Sequence, residues 1–237
     1  MSDKRSRIGM IDILRGLSVV LMVVYHLAFD LSTEGIISDA LLDNAVMKFL
    51  EQLFASLFIV ISGAMCAMSR NNLKRGLIML AFAAGITVFT AVFDGGSSLI
   101  VFGVLHLLGA SAVIYALSHR FLEKISIRIQ LPLWAAVAAV TWWMQFRVFD
   151  VPGWLWIFGI RNIAFYSADY FPLFPYVFVY LWGAALGRPL KEGKFPKAFY
   201  TVRFRPLEFF GRQALPIYIL HQPLCYGAVM LIERIVL

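Results

Sequence analysis

The chain has 237 residues, of which 61% are hydrophobic and only 15% charged, and its mean hydropathy is +0.79. Soluble domains carry about 25% charged residues, so too little polar side chain is present to cover a soluble globule. The same figures exclude disorder, coiled coil and collagen, and a net charge of +7 on so apolar a chain points to basic membrane loops, not to a nucleic-acid partner.

A membrane-spanning helix takes about 20 mostly apolar residues. Seven such runs follow one another, at 9–31, 48–68, 76–93, 99–117, 129–146, 172–187 and 211–232. They predict an all-α integral membrane protein, a polytopic bundle of about seven transmembrane helices in a single domain over 1–237. With the N-terminus in the cytoplasm, the inner segments hold Lys4, Arg5, Arg7, Arg70, Lys74, Arg75, Arg120, Lys124 and Arg128, followed by Arg188, Lys191, Lys194, Lys197, Arg203 and Arg205. That is 15 of the 21 basic residues, as the positive-inside rule requires. The outer segments hold Lys48, Arg147, Arg161 and Arg234 with Glu34, Asp39, Asp43, Asp94, Asp150 and Asp169.

The first run starts like a signal peptide but is too long and polar for one, and it lacks a small-x-small cleavage site, so it is expected to be retained. It carries Asp12, Arg15, His26 and Asp30. At about 100° per residue, Arg15 and His26 fall within about 20° of each other, and both aspartates lie about 60° from Arg15 on the same side. One face holds all four, with His26 about 16 Å beyond Arg15. Ionisable groups at membrane depth are costly and point to function. Asp30, one turn past His26, is placed to orient the ring or accept its proton. Asp12 and Arg15 read equally well as an interfacial i,i+3 pair, and a lone membrane histidine also serves to bond a neighbouring helix.

Glu51 and Gln52 enter the second run, Glu51 being either a pocket carboxylate or an interfacial one. Ser62-Gly63, deeper in, is a polar group or only a close helix contact. Cys66 and Cys225 fall in different runs and predict no disulfide. His106 lies in the fourth run, and His119 in the loop after it. The segment 147–171 mixes Trp154, Trp156, Tyr166 and Tyr170 with Asp150, Arg161 and Asp169, which suits an interfacial or re-entrant stretch. In the last run, Arg212 stands at the cytoplasmic start, and His221 and Gln222 precede Pro223. Two zones result. A cationic one (Arg15, Arg212, with Arg70 and Arg75 nearby) suits an anionic, phosphate-bearing ligand. The other, of histidines and carboxylates (His26, Asp30, His106, His221, Glu51), suits proton abstraction.

The run Ile11-Asp12-Ile13-Leu14-Arg15-Gly16-Leu17, leading to His26 with ten residues between Arg15 and His26, resembles the opening of the transmembrane acyltransferase superfamily. Further segments resemble the bacterial relatives of heparan-alpha-glucosaminide N-acetyltransferase in particular. These are Phe58-Ile59-Val60-Ile61-Ser62-Gly63, Phe102-Gly103-Val104-Leu105-His106-Leu107-Leu108-Gly109, and Pro172-Leu173-Phe174-Pro175 with Gly183 and Gly187. The last runs from Phe210-Gly211-Arg212-Gln213-Ala214-Leu215-Pro216 to Ile217-Tyr218-Ile219-Leu220-His221-Gln222-Pro223. The resemblance implies a multi-pass enzyme of the bacterial cytoplasmic membrane. It would move an acetyl group from cytoplasmic acetyl-CoA to an amine or hydroxyl of an extracytoplasmic carbohydrate or glycolipid, with no metal. His26 and Asp30 would be catalytic, and Arg15, Arg212, Asp12 and Ser62 would hold the donor. His106, His221, Gln222 and Glu51 would meet the acceptor.

General-base catalysis by His26 and a transient acyl-histidine both fit. A proton-coupled small-molecule transporter and a non-catalytic membrane subunit are the rival readings, and the oligomeric state is open, a homodimer included.

Overall fold

The computed structural model describes residues 8–93, 98–144, 153–161 and 165–236. Lys4, Arg5, Arg7, Asp94, Arg147 and Asp150, counted above among the loop charges, lie outside the described residues, as do 147–152 and 162–164 of the aromatic segment. The described chain is helical: α1 (Gly9–Thr33), α2 (Ala45–Ala64), α3 (Asn72–Phe93), α4 (Val104–Leu122), α5 (Ile127–Met144), α6 (Leu173–Lys191), α7 (Lys197–Thr201), α8 (Arg205–Arg212) and α9 (Ala214–Val236). Short 3-10 turns follow α2 at Met65–Met68 and lie at Asp39–Leu41 and Gly153–Phe158.

Among the described residues, five helices are long and apolar enough to cross a membrane: α1, α3, α4, α9, and α2 taken with its 3-10 extension. The other two predicted spans are helices of 18 and 19 residues, α5 and α6, outside that set. Arg128 and Gln130 dilute the apolar run of α5, and Arg188 and Lys191 that of α6.

Three boundaries differ from the hydropathy reading. Leu99–Phe102 are not helical: Ala168 N–H donates to Leu99 O at 2.9 Å and Phe171 N–H to Phe102 O at 2.8 Å. α4 therefore starts only at Val104, whose N–H donates to the Asp169 carboxylate at 3.1 Å, a cap that hydropathy does not register. It then runs on through Ser118, so His119 sits in its last turn rather than in a loop. The last run is broken at Gln213, where φ −99° and ψ 18° interrupt the helix, so Arg212 ends α8 instead of opening α9.

The chain divides into two compact units, Met1–Phe58 with Phe195–Leu237, and Ile59–Lys194. In the first, α1 packs on α7, α8 and α9. The α1–α8 crossing is backbone on backbone: a Cβ on Gly16 would stand 1.9 Å from Leu207 O, and one on Gly211 would stand 1.9 Å from Asp12 O. No other residue fits at either position. In the second unit, α3 lies on α4 and α5 on α6, and α6 also meets the end of α2. There Gly183 and Gly187 give the small-xxx-small spacing that brings Val60 and Ala64 against the α6 backbone. Tyr180, Ile59 and Leu107 are fully buried in this unit.

Candidate active site

The polar face of α1 is the spine of the first unit. The helix is unbroken from Gly9 to Thr33, so its four ionisable residues keep the register their spacing dictates. Asp12 and Asp30 are both buried, at 9% exposure, which shows that this face is turned into the unit. The C-terminal segment meets it at every polar position.

At the N-terminal end of the stripe, Arg15 Nη1 lies 3.6 Å from Asp12 Oδ1 and donates to Gly211 O at 3.4 Å. The second contact places a guanidinium on the carbonyl end of α8, where the helix dipole is negative. Arg212 is anchored on the same helix, its Nε donating to Glu208 O at 3.0 Å and its Nη2 standing 3.8 Å from Glu208 Oε2. Arg203 Nη1 also stands 3.8 Å from Glu208 Oε2. Among the described residues, Arg15, Arg203 and Arg212 thus meet two buried carboxylates, Asp12 and Glu208, at this end.

At the C-terminal end, the rings of His26 and His221 face each other with centroids 4.9 Å apart and planes tilted by 59°. His221 Nδ1 lies 2.6 Å from Tyr218 O. A carbonyl only accepts, so Nδ1 carries the hydrogen, and a neutral ring in this tautomer has its lone pair on Nε2. One residue on, Gln222 Nε2 donates to both oxygens of Asp30, at 3.1 and 3.2 Å. The His26 ring thus meets His221, and Asp30, one turn on, is held by Gln222. Tyr25 stands edge-on to His26 at 5.9 Å, and Glu51, which is exposed, lies beside the Tyr25 hydroxyl.

Ser62 and His106 belong to the second unit. The Ser62 hydroxyl accepts from Arg75 Nη2 at 2.8 Å and the Ser62 carbonyl accepts from the same atom at 3.2 Å, so the serine holds a neighbouring arginine. His106 Nε2 lies 3.3 Å from Thr87 Oγ1, and its ring stacks on Phe102 at 5.5 Å. Within 147–171, the described residues form the Gly153–Phe158 turn and an extended stretch bridged to Phe102 through Tyr170. Burial pushes the Tyr170 hydroxyl up to about 12 against the opposing pull of Arg161, whose guanidinium lies 5.6 Å from the ring centroid. It is thus a donor, to Trp156 O at 2.5 Å.

A family model described as heparan-alpha-glucosaminide N-acetyltransferase, catalytic, matches residues 7–223, which takes in both units and both ends of the stripe. The chain belongs to this family. No curated protein and no solved structure matches it. The heparan-alpha-glucosaminide N-acetyltransferase catalytic family is one of membrane acetyltransferases acting on carbohydrate, and the five apolar helices make this member a multi-pass membrane protein.

Sequence reasoning counted Arg203 only as a loop charge and Tyr218 only within a motif, and it passed over Glu208. Glu208 had a readable signal, an acid four residues before Arg212 and five after Arg203 in an otherwise basic stretch. Tyr218 had none, because it contributes a main-chain carbonyl.

Proposed function

We propose that the protein moves an acetyl group from acetyl-CoA to an amine or hydroxyl of a carbohydrate or glycolipid across a cell membrane, with His26 as the group that handles the transferred proton or acetyl. The observation that carries this is the meeting of His26 with His221, and of Asp30 with Gln222, inside a chain of an acetyltransferase family. Acetyl-CoA supplies an activated thioester. Its phosphates fit the donors offered by Arg15, Arg203 and Arg212, since guanidinium forks match phosphate oxygens.

In one version, neutral His26 takes the proton from the acceptor as it attacks. In the other, a ring nitrogen of His26 carries the acetyl between the two substrates. In both, His221 holds the ring in place by contact, and Gln222 fixes the Asp30 carboxylate one turn away. The family favours this use of the intramembrane histidines over proton-coupled transport.

We read α5 and α6 as spans as well. That makes seven with a cytoplasmic N-terminus, and it puts the arginine end of the stripe toward the cytoplasm and the histidine end toward the far side. The basic loops support this orientation.

The test uses purified full-length protein. Acetyl-CoA and free CoA should raise the melting temperature in a concentration-dependent way, and labelled acetyl should pass to glucosamine or a lipid-linked glycan. A His26→Ala variant that binds CoA and still transfers acetyl at the wild-type rate would sink the assignment.

A further inference from the structure

Residues 195–212 hold Lys197, Arg203, Arg205 and Arg212 against the single acid Glu208, interleaved with Phe204 and Phe209, both more than half exposed. Within this basic and aromatic stretch, one carboxylate is buried. Glu208 Oε1 accepts the Phe204 N–H at 3.2 Å, and its Oε2 stands 3.8 Å from both Arg203 Nη1 and Arg212 Nη2. A carboxylate fixed by the backbone and flanked by two guanidiniums acts as a bracket. It sets the forks at a common point, while their side chains remain 50% and 43% exposed. The base of the bracket is rigid too. Arg203 lies over the first turn of α1, where a Cβ on Gly9 would come within 3.0 Å of its Nη1, and Arg212 follows the Gly211 contact with Asp12.

Charge decides what such a bracket binds. Two guanidiniums against one carboxylate leave an excess positive charge at a half-exposed surface, and the two forks attract a phosphate oxygen cluster better than a single arginine does. The exposed Phe204 and Phe209 rings offer faces on which a heteroaromatic base can stack.

We propose that Arg203 and Arg212, bracketed by Glu208, form a clamp for a phosphate group, with Glu208 as a positioning residue. This rests on the acetyl-CoA reading in one respect: the phosphate it would take is the terminal phosphomonoester of the nucleotide. An anionic lipid headgroup offers the same chemistry, and the experiment separates the two sources.

The full-length protein in phosphatidylcholine nanodiscs is titrated with CoA and with dephospho-CoA, which lacks the phosphomonoester. CoA is expected to bind about tenfold more tightly, and Arg203→Ala and Arg212→Ala each to bring the ratio of the two dissociation constants toward one, leaving dephospho-CoA binding intact. Glu208→Gln should shrink the same ratio, and Arg203→Lys should retain part of it, because an ammonium keeps the charge and loses the fork. Melting temperatures near wild type exclude misfolding as the cause. In parallel, phosphatidylglycerol replaces part of the phosphatidylcholine. A ratio of one, together with a phosphatidylglycerol stabilisation that Arg203→Ala abolishes, keeps the clamp and makes the lipid its source. Nucleotide discrimination that survives all four variants, or the absence of both effects, overturns it. Failure of either nucleotide to bind at all removes the acetyl-CoA reading, and the lipid arm then decides the clamp alone.

Discussion

The two ends of the α1 stripe are built on different principles. At the arginine end, glycines bring helix backbones into contact, and Arg15, Arg203 and Arg212 each have a carboxylate within 4 Å. The histidine end is held by side chains. Two imidazoles face each other, and one amide holds one carboxylate. The first arrangement suits a place where a highly charged group rests and positions must not shift. The second suits proton or acyl movement, because neutral rings leave lone pairs to change hands. One helix thus carries an over-determined anchor and a lightly held imidazole pair.

The sharpest way to break that contrast is His26→Ala. Acetyl transfer is expected to fall by about 10²–10⁴-fold while donor binding holds, because the arginine end is untouched. Radiolabelled transfer and CoA titration on the same sample separate the two effects. The converse change, Gly211→Val, puts a side chain into the Asp12 carbonyl. It should cost about 3 kcal/mol or more and abolish folded protein and activity together, which size-exclusion and thermal melting read out. A transporter or subunit role for the histidines would leave transfer intact in the first variant.

A smaller effect tests the amide clamp. Gln222→Leu leaves the buried Asp30 carboxylate without its donor and should cost about 1–3 kcal/mol of stability. The same change in an Asp30→Leu background should cost much less, since the orphaned acceptor is then gone. Equal losses in both backgrounds would mean that Gln222 acts by packing alone. The mildest change lies in the other unit. Tyr170→Phe removes one hydrogen bond to Trp156 O, should cost about 1 kcal/mol, and should leave transfer at the wild-type rate.

Much of the first unit was legible in the chain. The Asp12, Arg15, His26 and Asp30 stripe follows from helical geometry, and the structure turns it inward as the cost of buried charge demands. The partners Gly211, His221 and Gln222 all lie in the C-terminal segment that the resemblance singled out, but which residue meets which depends on the break at Gln213, and hydropathy is blind to a single non-helical residue. Spacing along one helix put Asp30 one turn from His26; it gives no view of partners across a packed pair, so the Gln222 amide that bonds Asp30 was not legible. A hydroxyl next to a glycine has no directional signal, so the partner of Ser62, Arg75 from the next helix, was not legible either. The late start of α4 escaped notice for a similar reason, since the Asp169 cap lies 65 residues away.

The zero-gap contact between α1 and α8 also has a mechanical consequence. With glycine facing backbone at Gly16 and Gly211, no side chain lies between the two helices there to change rotamer and absorb a displacement. The pair behaves as a welded joint, so a shift in α8 is transmitted undiminished to α1 and to the register of Arg15. Any give between the α1–α8 piece and α9 is concentrated at Gln213, the one non-helical residue separating α8 from α9. Amide hydrogen exchange should therefore protect α8 together with the first turns of α1, while the start of α9, which carries the second imidazole, exchanges as a separate block.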